Sequence, residues 1–357
     1  MSDDTTRAGP GGAGAAIAAF PRTRLAHLPT PLEFMPRLTD LLGGPRLYVK
    51  RDDCTGLAFG GNKARQLEFY LGDALAKGAD TIVTTGAVQS NHVRMTAAAC
   101  RKLGLGCEVQ LEDRVGGMPD EYRTSGSPLL NRIYGATIHT YPEGENEAAA
   151  DRELESIAGR VRENGGVPYV IHLGPEHPPL GALGYLDAVG EILEQADEAG
   201  LRIDAMVVPT GSGSTHLGIL AGLRLEGREI PVHGICIRRR AGPQKERLEL
   251  RARRLAELIG AKRLIEPEDF RLTDAYLGPG YGQTSPEMFE AVFAAARCEG
   301  LLVDPIYSGK ALAGLMGLVR AGAFPSDANV LFLHTGGTPA LFGYRTRLEA
   351  AIPGGKN

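Results

Sequence analysis

From Leu47 onward the chain alternates short β-rich runs with helical patterns, and this alternation restricts its fold more than any other feature. Leu47-Tyr48-Val49-Lys50 and Thr81-Ile82-Val83-Thr84 read as strands, and between them the stretch Lys63 to Lys77 carries Leu67, Tyr70, Leu71, Ala74 and Leu75 on one helical face. Further strands are expected at 107–111, 137–141, 168–172, 204–208, 232–237 and 329–334. Helices are expected at 92–103, 127–134, 146–164, 181–199, 215–225, about 243–259, 286–298 and 309–321. Repeated strand–helix–strand units imply the α/β class, with open, twisted, mainly parallel sheets covered by helices on both faces. Such sheets bind ligands beyond the carboxyl ends of their strands.

At 357 residues the chain exceeds what a single core usually organises, so two domains are expected. Neither a linker nor a repeat separates them, and we expect interleaving: a large domain from 21–60 plus 171–357, a smaller inserted α/β domain from 61–170, and a site in the cleft between them. Residues 1–20 and 353–357 read as disordered tails; the first lacks a basic n-region, and its apolar run near Ile17 is too short for a signal or membrane helix. A net charge of −4 offers no general attraction to nucleic acid or anionic membranes. Arg238-Arg239-Arg240 and the arginines at 251, 253 and 254 are interrupted by Glu246, Glu249 and Glu257 around an apolar stripe of Leu248, Leu255 and Leu258. That pattern reads as an amphipathic helix rather than a nucleic-acid surface. Cys54, Cys100, Cys107, Cys236 and Cys298 have no C-x-x-C spacing, which points to neither disulfides nor a metal site and suits a reducing cytoplasm.

Forty-eight glycines, nearly twice the usual share of about 7%, suggest tight turns and a ligand cradle. The pair in Gly60-Gly61-Asn62-Lys63 removes side chains just ahead of an amine at a helix start, where a bulky ligand can reach it. Thr210-Gly211-Ser212-Gly213-Ser214-Thr215 follows the apolar strand Ala205 to Val208; its backbone N–H groups and hydroxyls form a neutral socket for a phosphate dianion, although Gly and Ser suit any such turn. The dinucleotide fingerprint fails, because position 216 is His216 where a third glycine is needed. Gln89-Ser90-Asn91-His92 also follows a strand; Ser90 or Asn91 can simply cap the next helix, and His92 is compatible with an ordinary buried histidine. Together they also supply donors for a substrate carboxylate and a ring oxygen. Thr335 stands where a strand gives way to Gly336-Gly337, while Tyr281 and Tyr307 sit in glycine- and proline-bracketed loops that suit a cleft wall as well as ordinary packing.

A reachable lysine, a phosphate socket and hydroxyls at strand ends are the parts of a pyridoxal 5′-phosphate enzyme. Arg51-Asp52-Asp53, Gly-Gly-Asn-Lys at 60–63 with Arg65 and Leu67-Glu68-Phe69, Gln-Ser-Asn-His at 89–92, the Thr210 loop, Asp304-Pro305-Ile306-Tyr307 and His334-Thr335-Gly336-Gly337 resemble the D-cysteine desulfhydrase and 1-aminocyclopropane-1-carboxylate deaminase family. This family has the tryptophan-synthase-β-like fold, and the resemblance runs in order from about Leu28 to Tyr344. It implies a Schiff base between Lys63 and the cofactor, Asn91 on the ring hydroxyl with Asn62 beside it, and Thr210 to Thr215 around the phosphate. It also implies Thr335 facing the pyridine nitrogen, Ser90 holding the substrate carboxylate or assisting proton transfer beside Gln89 and His92, and Tyr281 and Tyr307 lining the reactive face. A homodimer acting on a small amino acid is implied as well.

Ring-opening deaminases of this family are expected to carry Glu after the second tyrosine, close to the ring nitrogen; this chain has Ser308 there. The resemblance therefore implies β-elimination from D-cysteine or a close analogue, with L-cysteate sulfo-lyase and the ring-opening deaminase as alternatives, and a non-catalytic binding protein as an alternative of another class. Arg51-Asp52-Asp53-Cys54-Thr55-Gly56-Leu57 resembles the cysteate branch. His172-Leu173-Gly174-Pro175-Glu176-His177-Pro178-Pro179 departs from the Gly-Gly-Ser type of loop found in the family and is expected to reshape the substrate pocket.

Overall fold

The computed structural model describes residues 12 to 352 except 143 and 145, so the tail reading for 1–11 and 353–357 lies outside the described residues. Among the described residues ten strands form two sheets. The larger contains β1 (Leu32–Phe34), β2 (Arg46–Lys50), β7 (Ala205–Thr210), β8 (Val232–Cys236), β9 (Arg271–Thr273) and β10 (Asn329–Leu333), in the order β1-β2-β10-β7-β8-β9. The smaller contains β3 (Thr81–Ala87), β4 (Gly106–Glu112), β5 (Thr137–Tyr141) and β6 (Pro168–Ile171), in the order β5-β4-β3-β6. Every pairing is parallel except that of β1 with β2.

The central strands explain why the alternation was readable. All residues of β7 and β10 are buried, as expected for strands with helices on both faces, and their sequences are largely apolar runs. On one face the helices Leu183–Glu198 and Ser214–Leu225 pack closely because Gly218 and Gly222 lack side chains; a Cβ at Gly218 would fall 2.3 Å from the carbonyl oxygen of Ala182. The helices expected from the sequence begin and end within about two residues of expectation, whereas the short helices Pro36–Leu42, Asp120–Thr124, Ala340–Gly343 and Arg345–Ala351 were not expected. The three-residue strands β1 and β9 escaped the sequence reading because they are too short to establish a pattern. Among the described residues no helix is long and apolar enough to cross a membrane.

One expectation needs correction. Residues 12–17, part of the stretch read as a disordered tail, form the helix Gly12–Ile17. Ala13 and Ile17, one helical turn apart, are buried in the core that contains Leu186 and Val189, and the Ala13 amide donates to Glu226 Oε1 at 2.7 Å. Apolar contact, not composition, decides the order of this segment.

A buried ion network joins the two ends of the fold beneath the cleft. Arg65, two residues after Lys63, donates to Asp52 through Nε (2.9 Å) and Nη2 (3.0 Å), and to Glu191 through Nη1 (3.0 Å) and Nη2 (2.8 Å). Lys50 Nζ reaches Glu191 at 2.5 Å, Thr30 donates its hydroxyl to Asp52 at 2.8 Å, and Tyr185 donates to the same carboxylate. Two cations face two carboxylates, so the cluster is neutral, and it clamps the helix Lys63–Ala76 onto β2 and the helix Leu183–Glu198.

Candidate active site

A cleft with about 890 Å3 of unfilled space, counting its open mouth, lies at the carboxyl ends of strands from both sheets. Lys63 is the first residue of its helix and stands in this cleft. Its approach is held by glycines: Gly61 (φ 137°) bridges Gly336 in antiparallel fashion, and a Cβ at Gly336 would lie 2.6 Å from Gly61 Cα. The amine donates to Gln66 Oε1 at 3.0 Å. Burial, with a smaller contribution from Arg251, lowers its pKa to about 8. Thr215 Oγ1 accepts from Asn62 Nδ2 (3.0 Å) and Gln66 Nε2 (2.9 Å), leaving its own proton to donate to a ligand.

Opposite the lysine, β7 runs into the helix Ser214–Leu225 through Gly213, whose φ of 97° favours glycine, and no side chain caps the first turn. Its amides are thus aimed at the cleft with the positive end of the helix dipole behind them. The expectation of a neutral socket is corrected here. Arg251, buried in the helix Ala241–Leu258, donates to Ser214 Oγ at 3.1 Å, and Arg247 Nε reaches the carbonyl of Ser212 at 3.5 Å. The cradle is therefore backed by positive charge.

Ser90 Oγ accepts from the Val93 amide at 3.2 Å, so it does cap the helix Asn91–Leu103 while also lining the cleft. Asn91 is oriented by Arg94, a residue the sequence reading passed over: buried Arg94 donates to Asn91 Oδ1 and to the Gly60 carbonyl, while the Asn91 amide nitrogen donates to Asn62 Oδ1 and to the Thr335 carbonyl, each at 3.3 Å. His92 lies 3.0 Å from Thr84 Oγ1 through Nε2. The Thr84 hydroxyl also lies 3.0 Å from the Ile171 carbonyl; when its proton goes there, His92 carries its hydrogen on Nε2 and leaves Nδ1 bare. Burial, and to a lesser degree Lys63, lowers the His92 pKa to about 3, and the ring is neutral at physiological pH.

The other expected residues divide. Asn62, Gly211, Ser212, Gly213, Thr215, Tyr307 and Thr335 line the cleft with Lys63, Ser90, Asn91 and His92. Gln89 does not; its side chain bonds the carbonyls of Tyr122 and Ser125 and the amide of Ser127, bracing a neighbouring loop. Thr210 is buried behind the cradle and accepts from Gln244 at 3.2 Å, and Ser214 is taken by Arg251. Tyr281 sits one layer back with its hydroxyl 3.0 Å from that of Tyr307. Ser308 is fully buried and satisfied: its hydroxyl donates to Asp304 Oδ1 at 2.6 Å, lies 3.2 Å from the Gly336 carbonyl, and accepts from the Asp304 amide at 2.7 Å.

The sequence reading missed the basic wall. Arg114 after β4, and Arg238, Arg239 and Arg247 after β8, line the cleft together with Glu147, which follows β5. Glu147 accepts from Arg238 (2.7 Å), Arg239 (2.5 Å) and Arg247 (2.7 Å). Burial pushes its carboxyl pKa up, but these three guanidiniums more than reverse that and hold it at about 2. Arg238 and Arg239 were read as part of an ordinary amphipathic pattern; their place just past a strand end was the available signal. The unusual 172–179 loop is strapped to the same helix, with Arg247 donating to the Leu173 carbonyl at 2.5 Å and Arg251 to that of Gly174 at 2.8 Å. Of that loop only Leu173 lines the cleft.

The cleft fits pyridoxal phosphate. An amine whose pKa is brought down to about 8 shares the cleft with an uncapped helix start and with the Thr215 hydroxyl, which accepts two hydrogen bonds and keeps its own proton to donate. Comparison with known proteins agrees. Residues 23–336 match the family model described as pyridoxal-phosphate dependent enzyme. The chain is 41% identical over 328 residues to D-cysteine desulfhydrase of Salmonella typhi, covering 92% of this chain and 97% of that one, and equally so to the protein of the same name from Salmonella newport (strain SL254). It superposes on the crystal structure of an ACC deaminase homologue with a TM-score of 0.85 at 35% identity, covering 96% of this chain and all of the other. A threonine deaminase from T.th., with a TM-score of 0.60 at 22% identity over 91% of this chain and 96% of its own, shares the fold. The chain thus belongs to the pyridoxal-phosphate dependent enzymes, and pyridoxal phosphate is its cofactor.

Proposed function

We propose that this enzyme is a carbon–sulfur lyase that removes the β-substituent of a small amino acid, converting D-cysteine to pyruvate, ammonium and sulfide. The observation that carries the reading is a single amine, Lys63, with its pKa lowered to about 8, in a cleft with Ser90 and Tyr307. The 41% identical relatives named D-cysteine desulfhydrase supply the substrate. When bound, pyridoxal phosphate supplies an aldehyde that condenses with amines and a ring that delocalises charge left at Cα. Lys63 is the residue to anchor it and to take the Cα proton, since its pKa leaves a substantial neutral fraction near physiological pH.

The remaining roles follow from donor inventory. The amides of Gly211 to Thr215 and the Thr215 hydroxyl hold the phosphate, and the Asn91 amide, fixed by Arg94, exchanges one of its 3.3 Å bonds to Asn62 and Thr335 for the ring oxygen. Thr335 offers the pyridine nitrogen only a neutral hydroxyl, and Ser308 backs the Asp304 loop without facing the ring. Ser90 holds the substrate carboxylate, with the neutral His92 ring alongside. The hydroxyls of Tyr281 and Tyr307 lie 3.0 Å apart; with Tyr281 as the donor of that bond, Tyr307 turns its own proton to the departing sulfur. The two domains, 21–60 plus 171–357 and 61–170, close around the substrate, and the chain works as a homodimer.

Assay of the purified enzyme with D-cysteine, L-cysteine, D-serine and 1-aminocyclopropane-1-carboxylate, following keto acid and sulfide, tests the reading. Pyruvate with equimolar sulfide from D-cysteine is expected; 2-oxobutanoate from the cyclopropane as the main product would sink it. A second expectation concerns pH. Cofactor uptake needs the neutral amine, so the rate at which apoenzyme takes up pyridoxal phosphate should rise with pH through about 8 and level off above it. A rate still climbing steeply above pH 10, near the free lysine value of about 10.4, would contradict the buried amine.

A further inference from the structure

Outside the cleft, the loop that departs from the family pattern meets a helix in a cluster of histidines and carboxylates. Asp151 and Glu155 stand one turn apart on the helix Glu147–Glu163 and so share one of its faces. His172 and His177 come from the 172–179 loop, with their rings stacked 3.8 Å apart and nearly parallel, at 6°. Pro175, Pro178 and Pro179 restrict the backbone of this loop. Gly174 lets it come close, since a Cβ there would lie 2.8 Å from Asp151 Oδ2. His172 Nε2 is 2.9 Å from Glu155 Oε1. A carboxylate only accepts, so Nε2 carries the hydrogen and the neutral ring keeps its lone pair on Nδ1. That Nδ1 is buried, has no hydrogen-bond partner among the described residues, and lies 3.5 Å from Asp151 Oδ1. His177 Nε2 lies 3.8 Å from the other oxygen of the same carboxylate.

A lone pair set against a carboxylate oxygen is repelled unless positive charge lies between them. A proton shared by Nδ1 and Asp151 would draw the two atoms to about 2.7–2.9 Å. The observed gap is wider, and it is close to the edge of about 3.3 Å between neighbouring ligands of a tetrahedral ion held at about 2.0–2.1 Å. Among the described residues no lysine or arginine pairs with Asp151, while Arg162 reaches Glu155 Oε2 at 3.9 Å and Arg251 donates to the Gly174 carbonyl. Burial lowers the His172 pKa, but Asp151 and then Glu155 outweigh it and raise the value, so this pocket draws positive charge.

We propose that Asp151, His172 and His177 bind a divalent ion of the zinc class, with Glu155 orienting His172. One ligand atom from each of the three lies within 4.8 Å of the others. A carboxylate behind a liganding imidazole fixes its tautomer and ring orientation, and His172 and His177 have the His-x4-His spacing found in zinc sites. Imidazole nitrogens favour Zn2+ over Mg2+ and Ca2+, which take oxygen ligands. The cysteine spacing could not announce this site, because it uses no cysteine. Its ligands lie outside the cleft, and Leu173 is the residue of the loop that lines it, so the ion acts as a staple. It ties the loop to the helix whose first residue, Glu147, gathers the arginines of the cleft wall. The inference is independent of the substrate.

The test titrates ZnCl2 into holoenzyme that has been stripped with a chelator and dialysed, and follows binding by calorimetry and unfolding by thermal melt. A high-affinity ion bound per chain is expected, with Tm rising as free Zn2+ rises. Glu155→Gln should weaken binding about 10- to 100-fold, as for loss of an outer hydrogen-bond partner. His177→Ala removes a ligand and should weaken it further, and its Tm should no longer respond to Zn2+. The absorbance of the bound cofactor should stay the same in both variants, because neither side chain lines the cleft. No uptake of Zn2+ by the parent would overturn the site and leave the cluster as an ion-pair network. Uptake that His177→Ala and Glu155→Gln leave unchanged would place the ion elsewhere, for instance on exposed Cys54, and overturn it too. Displacement of Zn2+ by equimolar Mg2+ would contradict ligation by imidazole.

Discussion

Lys63→Ala should leave a folded protein that neither retains cofactor covalently nor turns over substrate. Among the described residues the amine's hydrogen-bond partner is Gln66, and alanine suits the first helical position, so unfolding in denaturant should be nearly unchanged. Turnover loses its base, which by itself costs about 10²–10⁴-fold, and it loses the anchor of the cofactor as well. Borohydride treatment followed by peptide mass analysis should find the cofactor mass on the peptide containing Lys63 in the parent enzyme and nowhere in the variant. A variant with parent-like turnover would show that another group takes the proton, and with it the reading of this cleft would fail.

The largest effect on stability is expected from Asp52→Ala. The side chain is buried and receives two donors of Arg65, the Thr30 hydroxyl and the Tyr185 hydroxyl. Removing it strands a buried guanidinium with Glu191 as its remaining anion, and breaking a buried pair from one side typically costs about 3–5 kcal/mol. Equilibrium unfolding in urea measures the loss; a change under about 1 kcal/mol would mean that water or another group fills the gap. The network also gives stability a pH dependence of known sign. Burial raises the Glu191 pKa, but Arg65 and Lys50 outweigh this and hold it at about 2, below the unfolded value of about 4.3. Its contribution is therefore complete above about pH 4.3 and is lost as the pH falls toward 2. Because Arg65 follows Lys63 by two residues, the Asp52→Ala change should also loosen the grip on the cofactor.

Chain-local physics made much of the site legible. Lys63 is announced by Gly60-Gly61, whose backbones must touch the Gly336 loop, and the Thr210 loop by hydroxyls and glycines between an apolar strand and a helix. Residues whose task depends on a distant partner were misjudged. Gln89 belongs to the same tetrapeptide as Asn91 but faces Tyr122 and Ser125, and Ser308 follows Tyr307 directly yet spends its hydroxyl on Asp304. Nothing within either segment distinguishes a side chain that faces a ligand from one that braces a loop.

The basic wall shows the same boundary from the other side. Arg114 follows the small sheet and Arg238, Arg239 and Arg247 the large one, while Glu147, which gathers three of them, begins a helix far from all in sequence. Periodicity and turn chemistry are local, so the sequence alone determined the α/β alternation, the parallel sheets, the amine at a helix start and the glycine- and hydroxyl-rich turn that shares its cleft. How charges from opposite sides of the cleft converge depends on the packing of two sheets against each other, and only the tertiary structure decided that Glu147 gathers Arg238, Arg239 and Arg247.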